Sequence, residues 1–92
     1  MDVFKHDDAG YLQWVVDNQG GFIVNIDYAH AVPDYPMVHR ATHKAMTTDA
    51  RENYTTGLYY KVCSNDLSEL QAWARGETGK ELIECQKCMK KN

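Results

Sequence analysis

Histidine and cysteine residues form two closely spaced pairs in this chain. His39 and His43 lie four positions apart, and Cys85 and Cys88 form a C-x-x-C sequence. Thiolate sulfur and imidazole nitrogen are the ligands of tetrahedral zinc sites, which small proteins usually build from two local pairs that the fold brings together. The four residues therefore predict one structural zinc ion bound by two cysteines and two histidines.

Cys63 offers a fifth candidate ligand. It could replace either histidine, which would give a site of three sulfurs and one nitrogen. Alternatively, it is a small buried hydrophobic residue, which is the usual role of a single cysteine in a strand. Because the chain contains three cysteines, which cannot all pair with one another, a disulfide framework accounts poorly for them.

Thioredoxin-type redox chemistry is the main competing use of a C-x-x-C pair. That chemistry places the pair at the N-terminus of a helix, whose dipole lowers the thiol pKa. Only four residues follow Cys88 in the sequence, too few for such a helix. We therefore expect the cysteines to bind metal rather than to catalyse redox exchange.

Two helices can be predicted from the hydrophobic pattern around these pairs. The first should run from about residue 8 to 18, with Asp7 or Asp8 capping its N-terminus. The second should run from about residue 66 to 75 and end at Gly76, since glycine is common where helices stop. Neither pair of candidate ligands lies in these helices, so strands and turns must position the metal site.

Short strands are predicted at residues 21–28, at residues 58–63, in the "MVH" that ends at His39, and just before Cys85. The segment "RATHKAM" should form a turn or a short helix, and a helix would place His39 and His43 on one face. These elements predict an α+β fold, with a small three- to four-stranded antiparallel sheet and two helices, stapled by a metal site.

Length and charge limit the classes of protein to which the chain can belong. A chain of 92 residues is expected to form one small zinc-binding domain over residues 1–92, because a second core could not be buried. It has no apolar run long enough for a membrane span, and its start lacks the features of a secretory signal. We therefore expect a cytoplasmic protein that has no membrane partner.

Positive charge is concentrated near the candidate ligands, although the formal net charge of the chain is −3. That net charge argues against non-specific adhesion to nucleic acid, which needs a surplus of cations. Folding around zinc would nevertheless collect basic residues on one side, where they could bind nucleic acid or a protein partner: Arg40, Lys44, Lys87, Lys90 and Lys91. Three tyrosines could stack on bases, although packing in the core is the favoured role for them: Tyr54, Tyr59 and Tyr60.

The order of these features resembles the small zinc module of the Ada DNA-repair protein. The resemblance covers about residues 35–89, from "YPMVHRATHKAM" through a strand and a helix to "LIECQKC". Cys85 and Cys88 match the closing C-x-x-C of that module, while His39 and His43 stand where it has cysteines. The resemblance implies a role near nucleic acid, but it does not imply the methyl-transfer reaction of the family, which needs four zinc-bound thiolates.

The chain contains no sequence motif of a known catalytic type. It has no glycine-rich phosphate loop, no G-x-S-x-G and no H-E-x-x-H,. We therefore expect a non-enzymatic, zinc-stabilised binding module with no small-molecule substrate, associated with nucleic-acid transactions. The alternative is a small acidic protein that binds or inhibits another protein, for example a phage-encoded inhibitor of a bacterial defence complex, since acidic surfaces can imitate the phosphate backbone.

Overall fold

The part of the chain that the structure describes folds into one sheet and two helices, which confirms the predicted α+β class. The computed structural model describes residues 1–43 and 54–89. In chain order the elements are β1 (Asp2–Phe4), α1 (Asp8–Asp17), β2 (Phe22–Asp27), β3 (Met37–Arg40), β4 (Tyr59–Ser64), α2 (Leu67–Thr78) and β5 (Ile83–Glu84). Neither helix of these ranges is long and apolar enough to cross a membrane.

The sheet has five strands in the order β1-β4-β2-β3-β5. All neighbouring strands are antiparallel except β3 and β5, which run parallel. The sheet is therefore larger than the predicted three to four strands and is mixed. The additional strand is β1, whose three residues are too few to show an alternating pattern.

Both faces of the sheet are covered. On one face, α1 contributes Tyr11 and Val15 to a core that includes Ile23 of β2. On the other face, α2 contributes Leu70 to a core that includes Val24 of β2. The central strand β2 is therefore buried on both sides, so that even its polar residues Asn25 and Asp27 lie in the interior,.

The helices begin where the sequence predicts, but α2 ends later. Asp7 caps α1 by accepting a hydrogen bond from the Gly10 amide at 2.9 Å, and Asp66 caps α2 by accepting one from the Ser68 amide at 3.0 Å. The prediction that Gly76 stops α2 is wrong. The helix continues to Gly79, whose φ of 71° lies in the left-handed region that glycine adopts without strain,.

The start of α1 is tied to the segment that precedes β4. The Asp8 Oδ1 atom accepts hydrogen bonds from the backbone amide and the hydroxyl of Thr55, each at 2.6 Å. Thr55 is fully buried. Partial desolvation opposes ionisation of the Asp8 carboxyl, but the hydrogen bonds from Thr55 outweigh it, so its pKa lies below its ordinary value of 3.8,.

Asp8→Asn should therefore lower the free energy of unfolding by about 1–2 kcal/mol at neutral pH, because an amide accepts these hydrogen bonds less strongly. A carboxylate with a lowered pKa stabilises the fold above pH 3.8, and this stabilisation is lost as the pH falls further,. The difference in the free energy of unfolding between the wild type and Asp8→Asn should accordingly become smaller in acid. Urea unfolding at several pH values measures this difference. The control is Asp34→Asn, which makes the same change at an exposed position. If the free energy of unfolding changes with pH equally in the wild type and both variants, this role of Asp8 is contradicted.

Candidate metal centre

A strand and a turn position the two histidines. His39 lies near the end of β3, opposite Ile23 of β2. The chain then turns, and the backbone amide of His43 donates to the carbonyl of Arg40 at 3.0 Å. The two imidazole rings stack with their centroids 5.6 Å apart and an angle of 11° between their planes. Over residues 40–43 the chain forms the predicted turn, and this turn brings the rings together. Residues 44–46 of the predicted segment lie outside the described residues.

Strand β5 brings the two cysteines to the same place. It pairs with β3, and directly after it the Cys85 amide donates to the carbonyl of Val38 at 3.0 Å. The chain then turns back, and the Met89 amide donates to the Cys85 carbonyl at 2.9 Å. Because β3 leads to the histidines and β5 leads to the cysteines, the parallel pairing of these two strands is what makes the two pairs meet.

The four side chains form a compact group of candidate ligands. One nitrogen or sulfur atom from each of His39, His43, Cys85 and Cys88 lies within 4.8 Å of all the others. In a tetrahedral zinc site with bonds of about 2.3 Å to sulfur, two sulfurs lie about 3.8 Å apart. With bonds of about 2.0–2.1 Å to nitrogen, two nitrogens lie about 3.3 Å apart, so the atoms would need to approach one another by no more than about 1.5 Å to surround one ion.

Backbone amides point at both sulfur atoms. The Arg40 amide donates to Sγ of Cys88 at 3.3 Å, and the amides of Lys87 and Cys88 are directed at Sγ of Cys85. Amide donors of this kind orient thiolate ligands and stabilise their negative charge. The C-x-x-C spacing predicts donors from within its own turn, as Lys87 and Cys88 are, but it does not reveal the Arg40 amide, which comes from a distant strand.

The two thiols differ in their affinity for protons. Desolvation opposes ionisation of Cys85, but the surrounding amides and the Lys87 charge outweigh it and lower its pKa. Desolvation also opposes ionisation of Cys88, and with the adjacent Cys85 sulfur it raises the Cys88 pKa. The thiolate is the form that binds metal, so the amides and the Lys87 charge around Cys85 favour the form that the site needs,.

The cysteine turn is part of the hydrophobic core. Cys85 and Met89 are each only 6% exposed, and both belong to the core that contains Leu70 of α2. The imidazoles and Cys88 are partly buried. An ion held here would therefore join the far end of the described chain to the packed face of the sheet.

Cys63 does not belong to this group. It lies on β4 opposite Ile23, which in turn lies opposite His39 on β3. Two strand spacings, or about 9.5 Å, therefore separate the backbones of Cys63 and His39. Cys63 is fully buried in the core beneath α1, and this burial raises its thiol pKa. The structure thus places Cys63 as a small buried residue outside the group of four candidate ligands.

Two of the predicted basic residues lie beside the candidate ligands. Arg40 is exposed, its Nε donates to the carbonyl of Cys88 at 2.9 Å, and its guanidinium lies 5.8 Å from the centre of the Phe22 ring. Lys87 is exposed in the turn between the two cysteines. The other three basic residues lie outside the described part of the chain: Lys44, Lys90 and Lys91.

The three tyrosines considered for base stacking lie mainly in the interior. Tyr54 and Tyr60 are buried, one in each core, and Tyr59 is half-buried. Packing, the role favoured for them from the sequence, is therefore what the structure shows for Tyr54 and Tyr60. Neither presents an open ring face on which a base could stack.

Comparison of the chain with models of protein families, with curated proteins and with solved structures finds no match. The likeness to the Ada zinc module accordingly rests on the group of His39, His43, Cys85 and Cys88, which is compatible with a zinc module.

Proposed function

We propose that this chain is a non-enzymatic binding module whose fold is held together by one structural zinc ion. The observation that carries the proposal is the meeting of two distant pairs, His39 with His43 and Cys85 with Cys88, at mutual distances of 4.8 Å or less. Two strands and two turns are needed to produce this arrangement. Side chains that cluster by chance on a surface do not need two strands and two turns to bring them together.

Zinc is the metal that the donor set favours. Two thiolates and two imidazoles in a tetrahedral arrangement suit zinc, whereas magnesium and calcium prefer oxygen ligands. Four protein ligands would fill the coordination shell and leave no position for water or substrate, which is characteristic of structural rather than catalytic zinc. This is the physical reason for proposing a binding module instead of an enzyme.

Elemental analysis of the purified protein tests the metal directly. We expect one zinc per chain, with a lower midpoint of urea unfolding when a strong chelator removes the zinc and recovery of the midpoint when zinc is returned. A protein that is folded and free of metal after purification in zinc-containing buffer would contradict the proposal. Binding of another metal in preference to zinc would contradict only the choice of ion.

Nucleic acid is the partner that we propose for this module. The support is local, since two exposed cations are adjacent to candidate ligands: Arg40 follows His39 and donates to the Cys88 carbonyl, and Lys87 precedes Cys88. The alternative is an acidic protein that binds another protein, and it is favoured by the net charge of −3,. Fluorescence anisotropy with DNA and RNA at two salt concentrations distinguishes them, because salt-sensitive binding supports the first and no binding at low salt supports the second.

Lys87→Ala should weaken binding to DNA or RNA and reduce the slope of log affinity against log salt by about 0.7–0.9, the contribution of one phosphate contact. The matched control is Lys5→Ala, which removes an exposed cation next to β1. Strand β1 forms one edge of the sheet, and β5, which leads to the cysteines, forms the opposite edge. Anisotropy titrations of both variants test the prediction. Equal losses in the two variants would show that only overall charge matters and would contradict an interface at Lys87.

A further inference from the structure

The three cysteines of the chain differ in their access to solvent. Cys88 is partly exposed, whereas Cys85 is only 6% exposed and Cys63 is fully buried beneath α1. The susceptibility of a cysteine to small oxidants follows its exposure and its thiolate character. Zinc holds its cysteine ligands as thiolates. In the zinc-bound protein Cys88 is therefore the sulfur that a small oxidant reaches first.

A second thiol lies next to Cys88 in the same turn. The sulfur atoms of Cys85 and Cys88 are within 4.8 Å of each other. The turn is closed by the Met89 amide, which donates to the Cys85 carbonyl at 2.9 Å. Rotation of one side chain brings two sulfurs at this separation into bonding distance, and C-x-x-C pairs form disulfides in other proteins. Cys85 is therefore placed to attack the Cys88 sulfur once it is oxidised.

We propose that hydrogen peroxide oxidises Cys88, that Cys85 then closes a disulfide with it, and that the zinc is released as a result. This inference rests on the proposed function, because it concerns the regulation of the same metal centre. The site would thus act as a redox-sensitive switch. It differs from thioredoxin-type catalysis, since the pair exchanges no disulfide with another protein.

The oxidation has two steps. In the first, the Cys88 thiolate attacks a peroxide oxygen, so that an S–O bond forms, the O–O bond breaks and hydroxide leaves. In the second, the Cys85 thiolate attacks the Cys88 sulfur, so that an S–S bond forms, the S–O bond breaks and a second hydroxide leaves. Each hydroxide takes up a proton from solvent. The two sulfurs lose two electrons in total, and these electrons reduce one peroxide to two waters.

The disulfide removes half of the ligand set. Its sulfurs carry no negative charge, and two imidazoles alone do not complete the four ligands of a structural zinc. The change also reaches β3, because the Arg40 amide that donates to Sγ of Cys88 at 3.3 Å loses a thiolate as its acceptor. A dithiol reductant regenerates both thiolates. Oxidation should therefore loosen the turn and release the ion reversibly.

Treatment of the zinc-loaded protein with hydrogen peroxide tests the inference. Elemental analysis gives the zinc content first, a colorimetric indicator follows its release, and mass spectrometry after alkylation of free thiols locates the disulfide. We expect one zinc released per Cys85–Cys88 disulfide, with Cys63 still free, and recovery of zinc binding after dithiothreitol. Oxidation should be about tenfold faster than that of free cysteine at pH 7, of which only about 3% is thiolate.

Two variants separate the thiol that is oxidised first from the thiol that closes the disulfide. Cys85→Ser keeps the exposed thiol but removes its partner, so sulfenic acid should persist on Cys88 and be labelled by dimedone. Cys88→Ser leaves only the buried thiol in the turn and should take up at least about tenfold less label. The matched control Cys63→Ala should release zinc at the wild-type rate. If a serine variant does not fold, the disulfide and the zinc release of the wild type still decide.

Zinc release coupled to the Cys85–Cys88 disulfide, faster than the oxidation of free cysteine, supports the inference. Release without this disulfide, a disulfide that includes Cys63, oxidation no faster than that of free cysteine, or equal labelling of the two serine variants would overturn it. The elemental analysis before peroxide is added separates the two proposals. Protein without zinc contradicts the proposed function and this inference together, whereas zinc-loaded protein that keeps its metal in peroxide contradicts only the switch.

Discussion

Cys85→Ala is expected to abolish zinc binding and to lower the free energy of unfolding by about 4 kcal/mol when free zinc exceeds its dissociation constant about a thousandfold. The reason is linkage, because zinc binds the folded chain, in which β3 and β5 bring the ligands together, and finds no such site in the unfolded chain,. The measurements are the zinc content by elemental analysis and urea unfolding with zinc present.

The matched control for this experiment is Cys63→Ala, which makes the same chemical change in a buried strand residue outside the ligand group. It should cost about 1 kcal/mol for the lost packing and leave the zinc content unchanged. In excess chelator the stability of Cys85→Ala should approach that of the wild type. Loss of zinc from Cys63→Ala with retention by His43→Ala would show that Cys63 and not His43 is the fourth ligand.

Leu70→Ala should lower the free energy of unfolding by about 2–5 kcal/mol, the range for a large buried aliphatic residue replaced by alanine. Leu70 is fully buried on α2, in the same core as Val24 of the central strand and Cys85 of the metal group. Loss of its side chain would open a cavity between the helix and the sheet, directly under the turn that carries the cysteines. We therefore also expect weaker zinc binding, although Leu70 offers no ligand atom.

Urea unfolding in the presence of zinc and in the presence of chelator measures both effects of Leu70→Ala. Val16→Ala is the control, since Val16 is on a helix and 68% exposed, and it should change stability by less than about 0.5 kcal/mol. A loss of less than about 1 kcal/mol for Leu70→Ala would indicate that the α2 core can collapse around the missing side chain. Unchanged zinc affinity in a destabilised Leu70→Ala would show that the cysteine turn does not depend on this core.

Local sequence signals predicted the parts of this fold that depend on neighbouring residues. Asp7 and Asp66 mark the beginnings of the helices, because the capping hydrogen bond reaches only two or three residues along the chain,. The strand leading to His39 follows from its composition and the prolines before it. The two pairs of candidate ligands could likewise be recognised, since each is defined by spacing within a few residues.

Features that depend on distant residues could not be predicted in this way. The parallel pairing of β3 with β5 is set by the path of the chain through β4 and α2, and no local pattern records it. Exclusion of Cys63 from the ligand group follows from the strand register, which places Ile23 between it and His39. The burial of Asp27 could not be predicted for a similar reason, because alternation in β2 shows which side an aspartate faces but not whether another layer covers it,.

The shortness of β5 has a consequence for the protein without its metal. Strand β5 consists of only Ile83 and Glu84, and the rest of the outer side of β3 is bonded by the cysteine turn that follows, through the Cys85 amide and the Cys88 sulfur. This turn is the part that zinc would hold in place. If this turn separates from the histidines, the amides and carbonyls of β3 lose their partners and become available to other chains, which is how unprotected strands start aggregation. A bound ion would then protect the protein from self-association as well as from unfolding.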